Sequence, residues 1–144
     1  MAVHYSLVFA GTGVSLPFIG LWLGENGLTG AEIGVLLAAP MLGRLATGPG
    51  VALWADGFRY RRTPIAILAL VSAAAFGAMG VVEGFAAWLL LWFVGATALG
   101  NVIPLSDVLT LKRARREGFV YAVPRGMGSI AFIVANVVMG AILT

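Results

Sequence analysis

Three ionisable residues stand inside long apolar runs of this sequence: Arg44, Asp107 and Arg125. A charge in an apolar medium is costly, so such residues are held by a partner or kept for a task. A guanidinium presents five N–H donors in a rigid fork, suited to carboxylate or hydroxyl oxygens. A carboxylate in the same setting can pair with that cation or carry a proton. Arg44 stands twelve residues before Asp56, about 18 Å along a helix, which is mid-depth in a bilayer. There it contacts an anion or a carboxylate, or it makes a buried ion pair or carbonyl hydrogen bonds that only fix packing. Asp107 lies five residues before Lys112, and Arg125 seven after Gly118. In an antiparallel helix pair these two have matched depth, one or two turns inside the membrane. Two readings stay open for them: a pair that opens for a solute or a proton, or a permanent inter-helix bridge, with Arg125 also able to snorkel to the membrane face.

Other chemistries lack their residues. The chain has one histidine, His4, and no cysteine, which excludes a histidine-built zinc site, disulfides and thiol catalysis. No Ser–His or Cys–His pair, phosphate-cradling glycine loop, metal cluster or paired carboxylates on one helix can be found. No enzyme activity, cofactor or metal is expected.

The elements that position these residues follow from composition. Apolar residues make up 60% of the chain and charged residues 10%, against about 45–50% and 25% in soluble domains. Lipid is the simplest solvent for such a chain. A crossing takes roughly 20 helical residues, so 144 residues hold about five spans with short connections and no soluble domain. The expected fold is an all-α polytopic membrane protein with spans near 3–23, 31–53, 65–82, 85–111 and 119–143. The first span lacks the basic flank and cleavage signal of a signal peptide and reads as retained. Thr29 and Glu32 form a predicted capping box at the second span. Pro64 suits the first turn of the third, and Glu83-Gly84 a tight turn. Trp22 and Trp54 sit at span ends as interfacial aromatics, whereas Trp88 and Trp92 read as packing residues. Three GxxxG pairs, Gly20/Gly24, Gly30/Gly34 and Gly80/Gly84, carry little weight at this glycine content.

Charge orients the spans. Arg59, Arg61 and Arg62 occupy the second loop; Lys112, Arg113, Arg115 and Arg116 occupy the fourth; the first and third loops have no Lys or Arg. Positive loops stay cytoplasmic. The N-terminus is therefore expected in the cytoplasm, and the net charge of +3 reads as membrane orientation rather than nucleic-acid binding.

Three stretches resemble the major facilitator superfamily, above all the branch of phenylpropionic acid permeases near lactose permease and the nucleoside proton symporters. Leu16–Leu23 followed by Gly27–Gly34 resembles that branch's Pro-Phe pair late in helix one and Glu-Ile-Gly opening helix two. Ala52–Asp56 with Arg59, Arg61 and Arg62 resembles the superfamily's cytoplasmic loop motif, whose aspartate and basic residues latch that side. Ala52 replaces its leading glycine, and Gly57 stands where an arginine is common. Pro104–Asp107 with Tyr121–Phe132 resembles the helix-four carboxylate region and the Tyr-Gly-Arg-x-Arg-x-x-Gly-Ser stretch of helix five. The second arginine matches Arg125; Val123 replaces the first.

The resemblance covers nearly the whole chain. It implies the N-terminal part of a secondary active transporter in the cytoplasmic (inner) membrane. Such a protein moves a small organic solute (an aromatic acid, sugar or nucleoside) by alternating access with proton symport. It implies Asp107 and Arg125 as solute-binding residues, with Arg44 helping to attract an anion. The expected partners are lipid, solute, protons and a missing C-terminal half, because the superfamily uses twelve helices in two halves. Two rivals remain: a small non-transporting membrane protein that acts as an interaction or assembly partner, and a membrane-embedded enzyme.

Overall fold

The computed structural model describes residues 2–143. These form five α-helices, with no strand among the described residues: α1 (Ala2–Glu25), α2 (Gly30–Asp56), α3 (Arg62–Met79), α4 (Phe85–Glu117) and α5 (Ala122–Leu143). All five are long and apolar enough to cross a membrane. Together they make a multi-pass, all-α membrane protein, as composition requires.

The helix ends follow local chemistry. Thr29 caps α2: its backbone N–H donates to Glu32 Oε2 at 2.8 Å, and the Glu32 N–H donates to Thr29 Oγ1 at 3.4 Å. The predicted capping box is thus present. Pro64 lies in the first turn of α3, where its missing N–H costs nothing. Gly84 adopts φ 103° in the turn before α4, a conformation open mainly to glycine. The basic segment 112–117, expected as loop, is instead helical. Its Lys, Arg, Ala and Glu are good helix formers, and Arg113 faces Glu117 one turn on at 3.9 Å. The helix stops at Gly118, which turns left-handed (φ 73°) and donates its N–H to the Ala114 carbonyl at 2.9 Å.

Two compact units divide the chain, one of residues 1–27 with 110–144 and the other of residues 28–109. In the first, α1 packs on α5. A Cβ placed on Gly13 would stand 2.7 Å from the Phe132 carbonyl oxygen, and one on Gly128 would stand 3.0 Å from the Phe9 ring. Both glycines let backbones approach, the usual device for packing helices in lipid. Contacts advance together along both helices, so α1 and α5 run parallel.

In the second unit, α4 is the central element. A Cβ on Gly43 of α2 would collide with the Phe93 ring and with Thr97 Oγ1, at 2.6 and 2.8 Å. Gly95 of α4 takes the Phe76 ring of α3 in the same way, at 2.7 Å, and Phe76 also packs on Trp92 at 5.4 Å between centroids. Trp88 Nε1 donates to the carbonyls of Val82 (3.0 Å) and Met79 (3.3 Å), tying the turn between α3 and α4 to the helix. These registers make α2 parallel and α3 antiparallel to α4. Trp88 and Trp92 are packing residues, as their spacing suggested. Of the GxxxG pairs, Gly30/Gly34 does not pack: a Cβ on either glycine would meet nothing within 4 Å.

Candidate functional site

Arg125 sits in the first turns of α5, half-buried, three residues before Gly128 and so on the same face. Its guanidinium carbon lies 4.4 Å from the centroid of the Phe9 ring of α1, a cation–π contact. Gly128 makes this possible. Its missing side chain admits Phe9 and Tyr5 to the α5 backbone, with Phe9 Cδ2 and Tyr5 Cβ 3.0 and 3.2 Å from a Cβ placed there. The Arg125 charge is thus held against an aromatic face of α1.

Arg44 is placed differently. It is exposed on α2, and its side chain lies across Gly100 of α4. A Cβ at Gly100 would run into Arg44 Cδ, with Nε and Nη1 both 2.9 Å away. Pro104, four residues on, cannot supply the N–H that would bond the Gly100 carbonyl. The guanidinium therefore crosses the helix at a residue whose carbonyl lacks its intrahelical donor. Two buried polar residues adjoin: Asn101, whose Nδ2 donates to the Thr97 carbonyl at 2.9 Å, and Thr97, whose hydroxyl has no partner among the described residues. Arg44 has no ion-pair partner among the described residues. Of the readings open for it, the buried ion pair has no support among the described residues.

Asp107 is half-buried one turn beyond Pro104, between buried Ser106 and Thr110 on the same helix. It belongs to the unit of residues 28–109, and Arg125 to the other. The turn after α2 joins a different pair: Arg61 Nη1 donates to Asp56 Oδ1 at 2.7 Å, with both side chains partly exposed. Arg59 lies 5.8 Å from the Tyr60 ring, and Arg62 opens α3. Sequence reasoning singled out the charged residues and missed their supports, Phe9, Gly100, Thr97 and Asn101. Only Gly100 carried a signal, its position four residues before an intrahelical proline.

The chain matches the MFS_1 like family over residues 1–144. It is 32% identical to maltose permease of Geobacillus stearothermophilus, a match covering 96% of this chain and 35% of the relative. It is equally 32% identical to the probable 3-phenylpropionic acid transporter of Escherichia coli (strain K12), covering 100% of this chain and 38% of the relative. Quinolone resistance protein NorA of Staphylococcus aureus (strain MRSA252) is 28% identical, covering 81% and 31%. The chain thus spans about a third of the length of these relatives. No solved structure matches at the significance these relatives reach. With five apolar helices, cations set inside them and a family match from end to end, the chain belongs to the MFS_1 like family of the major facilitator superfamily, whose members are membrane transporters.

Proposed function

We propose that this chain is the N-terminal part of a secondary active transporter for a small organic solute, working by alternating access with proton symport. The observation that carries the reading is Arg125, an arginine kept within an apolar helix and stacked on Phe9. Phe9 fixes where the charge stands, and the guanidinium fork suits a carboxylate or hydroxyl oxygen. Asp107 is the second solute-binding group and the candidate proton carrier. Arg44 is the third; seated on Gly100 without an ion-pair partner among the described residues, it adds positive potential that attracts an anion. The names of the relatives, a maltose permease and a phenylpropionic acid transporter, bracket the solute between a sugar and an aromatic acid. The Arg125 guanidinium, held on Phe9, favours the acid.

The Asp56–Arg61 pair, with Arg59 and Arg62, is the latch of the cytoplasmic side. The membrane is the inner membrane, with the N-terminus cytoplasmic, because both basic segments then face the cytoplasm. The longer protein, supplied with its C-terminal half, is the object to assay. Arg125→Ala there is expected to abolish accumulation of the carboxylate solute while leaving the protein in the membrane. Uptake at the original rate would sink the assignment.

A further inference from the structure

The end of α4 is basic beyond what orientation in the membrane requires, and its shape points to a ligand. The helix is 33 residues long, about 50 Å, whereas the hydrocarbon layer is about 30 Å and the whole bilayer about 40–45 Å. Its last turns therefore pass through the headgroup layer while still helical. Lys112, Arg113, Arg115 and Arg116 fall there. At about 100° per residue the four cover roughly 160° of one side of the helix. The opposite side carries Thr110, fully buried, and half-buried Ala114.

The basic arc is thus turned away from the packed side. Lys112, Arg115 and Arg116 are exposed, and among the described residues none of them has an ion-pair partner. Arg113 alone is engaged, by Glu117. Exposed Leu111 lies one turn before Arg115 on the same face, so an acyl chain lying on Leu111 brings its headgroup to Arg115.

We infer that the cytoplasmic end of α4 is a binding site for the phosphate headgroup of an anionic phospholipid, with Lys112, Arg115 and Arg116 as its ligands and Leu111 as its acyl contact. A phosphate offers several acceptor oxygens to this fan of donors. The site is independent of the transported solute and holds whether or not the transport reading does.

The test uses the full chain in phosphatidylcholine vesicles containing a trace of spin-labelled phosphatidylglycerol or spin-labelled phosphatidylcholine. Electron paramagnetic resonance reads the fraction of each label immobilised on the protein. The chain should prefer the anionic label, and 1 M salt should remove the preference. The variant Lys112→Gln/Arg115→Gln/Arg116→Gln should lose at least about fivefold in that preference, the factor one cation is worth at an anionic surface. Arg59→Gln/Arg62→Gln, which removes charge elsewhere, should change it little. Equal losses in both variants would mean diffuse charge rather than a site and overturn the proposal, as would a wild-type chain with no preference. If the triple variant does not reconstitute, Arg115→Gln alone and the salt titration of the wild type decide the same question.

Discussion

Replacing Gly13 by alanine tests the packing of α1 on α5 directly. A Cβ there stands 2.7 Å from the Phe132 carbonyl oxygen, 3.2 Å from its Cα and 3.3 Å from its ring. Ordinary non-bonded separations begin near 3.5 Å, so the helices must part by roughly 0.8 Å. No rotamer change relieves the collision, because the nearest atom is backbone. Overpacking of this kind costs about 1–3 kcal/mol, against which alanine returns up to about 1 kcal/mol of helix propensity. With the full propensity gain the net expectation is a loss of about 0–2 kcal/mol, which leaves the variant well below Gly11→Ala in stability. Gly11 is the control: it is in the same helix, exposed, and a Cβ there meets nothing within 4 Å. Gly11→Ala should be neutral or gain up to about 1 kcal/mol. Unfolding of the chain by sodium dodecyl sulfate in mixed micelles, followed by circular dichroism, measures both. If Gly13→Ala proves as stable as Gly11→Ala, the close approach of α1 and α5 is wrong.

Gly100→Ala meets a side chain instead of a backbone, since Arg44 can swing aside. The same titration should show a smaller stability loss than for Gly13→Ala. In the longer transporter proposed above, the apparent KM for an anionic solute should rise as Arg44 is displaced; an unchanged KM would remove Arg44 from the proposed solute path. Thr29→Ala deletes the side-chain half of the capping box on α2. Its expected cost is about 1 kcal/mol in the unfolding titration, and a cost indistinguishable from zero would mean that water satisfies the helix end equally well.

Sequence alone determined the solvent, the number of helices and the family. Apolar content and the spacing of breakers require about five spans, because an unpaired backbone in lipid leaves the helix as the economical choice. Local rules reached the Thr29–Glu32 box and the glycine turn at Gly84, since each depends on neighbours within a turn or two. They did not carry α4 through its basic segment. A run of charges looks like a loop in hydropathy, yet Lys, Arg and Glu favour a helix until a left-handed glycine ends it.

Tertiary structure decided which glycines pack and what holds each cation. Phe9 reaches Arg125 across more than a hundred residues of chain, and Arg44 lies on Gly100 of another helix. All three packed seams use one device, a phenylalanine set against a glycine: Phe9 on Gly128, Phe93 on Gly43 and Phe76 on Gly95. No periodicity in the sequence reveals it. A glycine that admits a neighbour is written like one that faces lipid, and the difference exists only once a second helix lies against it.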